Sequence, residues 1–129
     1  IKSGIDCSSA VKMINSIMLT KSEEESFATL DIARIDLETC ELTLYKSGAS
    51  STLIKYDDSV MMFNSPSNPI GIIPDTQIFS RTCNFSKENI LVMLSDGVDE
   101  SLYLYIKEQL MTVGQLETIA DNVCESAGK

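Results

Sequence analysis

The run S-D-G-V-D-E at residues 95–100 holds the residue types best suited to chemistry in this sequence. It follows the apolar segment 90–94, so Asp96 is expected at the rigid end of a buried strand, where Gly97 allows a sharp turn and the close approach of a ligand. Carboxylate oxygens suit hard divalent cations, which makes Asp96 a candidate metal ligand. The alternative is simpler, because an Asp-Gly pair after a strand is most often only a turn.

Four further carboxylates are candidate site residues. Asp99 and Glu100 complete the same run and are candidates to lie near the site, but a solvent-facing loop that leads into a helix is the favoured interpretation. Asp31 and Asp36 lie in a segment of alternating apolar residues, which favours an ion pair or an exposed edge position. Neither of these two is assigned a catalytic role.

The composition excludes several kinds of chemistry within this sequence. There is no histidine, so an imidazole base, a Ser/His/Asp triad and a His-ligated zinc site are ruled out. The cysteines lie far apart with no C-x-x-C pair, which favours reduced thiols over a thiolate metal site or a disulfide scaffold. They are Cys7, Cys40, Cys83 and Cys124.

The length of the sequence indicates how many domains it forms, and its charge indicates which partners it repels. A chain of 129 residues predicts a single domain over 1–129, and a net charge of −9 repels nucleic acid and anionic membrane surfaces. The apolar runs are far shorter than the roughly 20 residues that cross a bilayer. With no signal peptide in the sequence, a cytoplasmic location is expected, and membrane attachment only through a longer parent chain.

The elements that must position Asp96 follow from hydrophobic periodicity. Apolar residues at helical spacing, with Asp6 as the N-cap, predict a helix to about Leu19, and residues 21–26 read as a surface connection. The segment 90–94 is apolar on both faces, which predicts a central strand covered on both sides. All three prolines lie in 65–74, which predicts a loop without a regular ladder. The predicted strands cover 27–37, 42–46, 52–56, 60–63, 77–85 and 90–94, joined as hairpins.

Two helices are predicted in the last third of the chain, one on each side of residues 112–114. Their apolar faces are Leu102, Tyr105, Ile106, Gln109 and Leu110, and then Leu116, Ile119, Ala120, Val123 and Ala127. The order of a helix, six strands and two helices lacks β-α-β alternation, which indicates an antiparallel α+β domain.

Several ordered motifs together resemble the stage II sporulation protein E family of metal-dependent serine/threonine protein phosphatases. The resemblance covers nearly the whole chain. Its motifs are M-I-N-S-I-M-L-T-K-S-E-E-E-S at 13–26, F-A-T-L-D-I-A-R-I-D-L at 27–37, Y-K-S-G-A at 45–49, N-P-I-G-I-I-P at 68–74 and I-L-V-M-L-S-D-G-V-D-E at 90–100.

The resemblance implies a fold and an activity. The fold is an α+β sandwich of two antiparallel sheets flanked by helices, with a site for two Mn²⁺ or Mg²⁺ ions in which the Asp of the S-D-G motif, Asp96, is a metal ligand. The metal pair would activate a water that attacks a phosphoserine or phosphothreonine. The implied substrate is a phosphorylated anti-anti-sigma factor in a sporulating bacterium, and the helix from Cys7 to Leu19 would have a regulatory role.

The sequence also departs from the family pattern. It has neither the upstream D-G-M-G-type motif nor the final D-D-x-T-V pattern, both of which supply metal ligands. The expectation is therefore a partial α-β-β-α phosphatase domain that is inactive alone, with exposed sheet edges that favour a homo-oligomer. The alternative is a non-catalytic phosphatase-like module that binds a phosphoprotein or dimerises.

Overall fold

The computed structural model describes residues 6–21 and 27–128, which form three helices and six strands in two compact units. One unit takes in Ser65–Ser86 and the described residues up to Ala49, and the other takes in Ser50–Asn64 with the described residues from Lys87 onward. The elements are α1 (Cys7–Lys21), β1 (Leu30–Asp36), β2 (Glu41–Ser47), β3 (Thr52–Lys55), β4 (Val60–Phe63), β5 (Phe79–Asn84), β6 (Ile90–Met93), α2 (Glu100–Thr112) and α3 (Leu116–Ala127).

The first unit is built on an antiparallel sheet in the order β1-β2-β5. Its central strand β2 buries Leu42 and Leu44, and the pairing runs from Leu30 opposite Ser47 to Asp36 opposite Glu41. The hairpin turn is closed by the Asp36 carboxylate, which accepts hydrogen bonds from the backbone N–H groups of Glu38 and Thr39 at 2.9 and 3.1 Å. The predicted hairpin is confirmed, and Asp36 has a structural role in it.

Helix α1 begins as predicted. Asp6 Oδ1 accepts a hydrogen bond from the backbone N–H of Ser9 at 2.7 Å, which caps the helix and lowers the pKa of the Asp6 carboxyl. The helix buries Val11 and Asn15, whereas Ile14 and Ile17, two of the apolar residues whose helical spacing predicts it, are exposed. The predicted surface connection falls mainly on residues 22–26, outside the described residues.

The proline-containing segment 65–74 is a loop, as predicted, and it is well anchored. Ala28 and Ile70 exchange two backbone hydrogen bonds as an isolated bridge, and Ser47 Oγ donates to Asn68 O at 2.7 Å. Asn15 of α1 joins the same loop, because its amide accepts from Gly71 N at 2.6 Å and donates to Ile73 O at 3.0 Å. The loop therefore connects α1 to the ends of β1 and β2.

The second unit contains an antiparallel sheet in the order β4-β3-β6, together with α2 and α3. Strand β3 is central and buries Thr52, Leu53 and Ile54. Leu53 packs with Ile106 and Leu110 of α2 and with Ile119 of α3 to form the core. The α2 face is confirmed, whereas Leu116, Ala120 and Ala127 on the predicted α3 face are exposed.

Two details of the strand prediction are wrong. Strand β6 lies at the edge of its three-stranded sheet, and its residues Ile90–Met93 are half-buried or exposed, so the central, doubly covered strand is β3. Strands β5 and β6 do not form a hairpin, since β5 pairs with β2 and β6 pairs with β3. An apolar run in the sequence indicates that a strand is hydrophobic, but it does not indicate which strands will pair with it.

The fold class is confirmed as α+β with two antiparallel sheets and three helices among the described residues. The prediction of one domain over 1–129 stays a prediction. None of the helices in the described ranges is long and apolar enough to span a bilayer.

Candidate functional site

Asp96 lies in the short loop that joins β6 to α2. Ser95 O accepts a hydrogen bond from Val98 N at 3.2 Å, which turns the chain around Asp96 and Gly97. Asp99 then caps α2, because its Oδ1 accepts from Leu102 N at 2.8 Å. The loop is fixed by backbone bonding on both sides of Asp96.

Apolar contacts hold the same loop against the core of the second unit. Leu94 and Val98, which flank Asp96, both pack against the cluster that contains Leu53 and Ile106. The polar residues between them are exposed. This alternation places a carboxylate at the tip of a short loop whose base is anchored, an arrangement that suits a ligand-binding group.

The Asp96 carboxylate is exposed and forms no hydrogen bond or ion pair with the described residues. Its oxygens are therefore open to solvent and to a cation. Within residues 6–21 and 27–128, His, Cys, Asp and Glu form no group of three that could hold a metal ion. The residues present fit one hard ligand of a metal site, and the assignment of Asp96 stays a prediction.

The other four candidate carboxylates lie at positions where they stabilise the fold or face solvent. Asp99 and Glu100 are exposed where the loop leads into α2, as the favoured interpretation had it, and Asp99 is in addition the N-cap of that helix. Asp31 accepts a hydrogen bond from Lys46 Nζ at 2.8 Å, so of its two predicted positions the structure shows the ion pair. Asp36, as described above, closes the β1–β2 turn, where its hydrogen bonds from Thr39 and Glu38 lower the pKa of its carboxyl.

A cavity of about 380 Å³ lies beside the Asp96 loop, and sequence reasoning missed most of its residues. Tyr103 of α2 donates a hydrogen bond from its hydroxyl to Met62 Sδ of β4 at 2.7 Å. No local pattern pairs a helix residue with a strand residue so distant in sequence, and Met62 reads as core. The lining comprises Ser50, Ser51, Met62, Leu94, Ser95, Val98, Asp99, Glu100 and Tyr103.

Comparison with characterised proteins identifies relatives over the whole length. The family model for stage II sporulation protein E (SpoIIE) matches residues 1–129. The chain is 32% identical over 136 aligned residues to stage II sporulation protein E of Priestia megaterium, covering 97% of the chain and 23% of that protein. It is 35% identical over 100 residues to the Bacillus subtilis (strain 168) protein, covering 78% of the chain and 12% of that protein.

Solved structures give the same grouping. The PP2C phosphatase domain of SpoIIE from Bacillus subtilis, solved with a fragment of its regulatory domain, matches with a TM-score of 0.80 at 30% identity, over 98% of this chain and 40% of that one. A manganese-presoaked SpoIIE phosphatase domain matches at 0.65 and 28% identity, over 98% of this chain and 60% of that one. RsbX in complex with magnesium shares the fold alone, at 0.74 and 18% identity, over 94% of this chain and 57% of that one.

The chain thus spans less than a quarter of the length of the curated relatives it matches, while 97% and 78% of the chain align with them. The family model covers every residue, and the two antiparallel sheets with three helices agree with the solved phosphatase domains. The chain belongs to the stage II sporulation protein E family.

Proposed function

We propose that the chain is part of a Mn²⁺- or Mg²⁺-dependent protein serine/threonine phosphatase. Family membership and the likeness to solved phosphatase domains support this class of activity. The observation that carries the proposal is the Asp96 carboxylate, exposed at the tip of an anchored loop and unbonded to any described residue. A group held in this way is available to bind a cation without rearrangement of the protein.

Asp96 would be one ligand of the metal site. Its carboxylate oxygens match the preference of both ions for hard oxygen ligands, and the SpoIIE phosphatase domain that was presoaked with manganese supports a divalent ion. Divalent cations supply charge neutralisation and a water nucleophile for phosphoester hydrolysis. Alone, the 129-residue chain is proposed to be inactive, since a two-metal site needs several carboxylates and only Asp96 is assigned.

The proposed substrate is a phosphoserine or phosphothreonine on a sporulation regulatory protein, an anti-anti-sigma factor. A net charge of −9 argues against a nucleic-acid substrate, because like charges repel. A regulatory protein of this class would be an intracellular substrate, so the proposed location of the reaction is the cytoplasm.

The test is Asp96→Asn in the natural protein at its full length, assayed on a phosphoserine protein with Mn²⁺. We expect turnover to fall by at least about 100-fold, because even the loss of an outer partner of a metal ligand costs roughly 10- to 100-fold. Asp58→Asn is the matched control, since Asp58 is an exposed aspartate between β3 and β4. Full turnover by Asp96→Asn would show that the assignment is wrong.

A second candidate function is a binding or dimerisation module without catalysis. It is favoured by the exposed apolar side chains of α1, where Met13, Ile14 and Ile17 are 56, 44 and 46% exposed. Exposed apolar clusters often mark interaction surfaces. If this candidate holds, Ile14→Lys with Ile17→Lys will reduce self-association in sedimentation, and the protein will show no metal-dependent turnover.

A further inference from the structure

We propose that the cavity beside the Asp96 loop binds the side chain of a lysine or arginine that flanks the phosphorylated residue of the protein substrate. This inference rests on the proposed phosphatase function and adds a substrate preference to it. The cavity belongs entirely to the second unit and is lined by residues of β4, α2 and the loop between β6 and α2. Its lining is apolar at Met62, Leu94, Val98 and Tyr103, and its charged groups are all acidic.

The apolar part of the cavity suits the aliphatic stem of a long side chain. Val98 and Tyr103 both pack against the core of the unit, so these walls have defined positions. A volume of about 380 Å³ lies near the lower end of the range for ligand pockets, which fits one side chain rather than a folded element. Lysine and arginine place methylene stems on such surfaces while their heads remain near water.

The charges of the cavity select the head group. Two carboxylates line it, at Asp99 and Glu100, and no lysine or arginine does. Asp99 already accepts the capping hydrogen bond from Leu102 N, whereas Glu100 forms no hydrogen bond or ion pair with the described residues. Glu100 is therefore the group available to a cation, and the Tyr103 ring adds a favourable surface for it. An acidic side chain would be repelled.

The position of the cavity relates it to the proposed chemistry. Ser95 lines the cavity and directly precedes Asp96, so one loop supplies a wall of the cavity and the proposed metal ligand. A substrate whose phosphoryl group lies at Asp96 would present its flanking residues to this wall. The expected preference is about 3- to 10-fold, the size of a partly exposed charge pair with a cation–π contribution.

The test uses the natural protein at full length with Mn²⁺ and pairs of phosphoserine peptides that are identical except for lysine or norleucine at one flanking position. For at least one position we expect wild-type kcat/KM to favour the lysine peptide by about 3- to 10-fold. Glu100→Gln should bring the ratio of the two kcat/KM values to about 1, through a higher KM for the lysine peptide. Glu117→Gln is the control, since Glu117 is an exposed first-turn glutamate of α3 outside the cavity.

Equal kcat/KM for every peptide pair, or a preference that survives Glu100→Gln, would overturn the subsite while leaving the phosphatase proposal intact. Absence of turnover for all peptides would instead contradict the phosphatase proposal. In that case fluorescence anisotropy with the same peptides decides the subsite separately. The subsite is supported if wild type binds a lysine peptide more tightly than its norleucine counterpart and Glu100→Gln removes this difference. Equal binding of both peptides to wild type overturns the subsite.

Discussion

Lys46 Nζ lies 2.8 Å from Asp31 Oδ2 across the β1–β2 pair, and the Lys46 side chain is fully buried while that of Asp31 is 17% exposed. The two residues are directly opposite one another in the antiparallel register. A buried ammonium group is costly unless it is paired, so this contact fixes how β1 and β2 must align. It also accounts for Asp31 without any catalytic role.

The first prediction concerns this ion pair. Asp31→Asn should destabilise the protein by about 1.5–3 kcal/mol, because it replaces the charged acceptor of the Lys46 hydrogen bond with a neutral one. Asp31→Leu combined with Lys46→Met should recover most of that loss, since apolar residues of similar size remove the need for pairing. Urea denaturation measures both. A double variant as unstable as Asp31→Asn would contradict the explanation.

The second prediction concerns Gly48, whose φ of +64° lies in the left-handed region. A Cβ at this position would lie 2.6 Å from Pro69 N, a backbone atom that cannot easily move aside. Gly48→Ala should therefore cost more than the roughly 1–2 kcal/mol of the backbone conformation alone. Gly114→Ala is the control because a Cβ there meets nothing within 4 Å. Thermal denaturation should separate the two variants clearly.

The third prediction concerns Asn15, which is 2% exposed and bonded to both Gly71 N and Ile73 O. Asn15→Ala leaves these two backbone groups without their side-chain partner, at about 1–3 kcal/mol for each group that stays buried and unpaired. Hydrogen exchange at the Gly71 amide should accelerate. Ser16→Ala, at an exposed neighbour, should leave the Gly71 exchange rate unchanged. Equal exchange rates in the two variants would contradict the role of Asn15.

Local sequence patterns predicted the parts of this fold that depend on local contacts. Asp6 caps α1, and the β1–β2 and β3–β4 hairpins pair as expected. Each of these features is set by residues only a few positions apart. Asp31 forms an ion pair, which is one of the two positions favoured by its place among alternating apolar residues.

The features that sequence missed depend on partners distant along the chain. Strand β6 is apolar, yet it lies at a sheet edge. Its neighbour is β3, whose other side is paired with β4, so β3 takes the central position in the order β4-β3-β6. The cavity beside Asp96 needs Met62 from β4 and Tyr103 from α2, which no spacing rule connects. Asp96 itself was found through its turn and its resemblance to a motif, and its metal-binding role remains a prediction.

The fourth prediction is a pH dependence at Asp36. Hydrogen bonds from the backbone N–H groups of Thr39 and Glu38 lower the pKa of this carboxyl in the folded protein. Because its pKa is lowered, Asp36 stabilises the fold at pH values above the ordinary aspartate pKa of about 3.9. This stabilisation is lost as the pH falls through the pKa of Asp36 in the folded protein. The stability difference between wild type and Asp36→Ala should therefore narrow below about pH 4. A constant difference down to pH 2, measured by denaturation, would contradict the mechanism.

The fifth prediction separates a capping role from a metal-binding role for Asp99. Its Oδ1 accepts the Leu102 N–H bond at 2.8 Å, so Asp99→Ala should cost about 0.5–2 kcal/mol of stability and loosen the loop that carries Asp96. Asp99→Asn keeps an oxygen acceptor at the same position and should retain both stability and metal-dependent turnover of the full-length protein. A metal ligand would behave differently, since Asp99→Asn would then abolish Mn²⁺-dependent turnover while leaving the unfolding midpoint unchanged. Calorimetric Mn²⁺ titration beside thermal denaturation of the two variants distinguishes these outcomes, and a loss of Mn²⁺ affinity in Asp99→Asn would show that Asp99 belongs to the metal site.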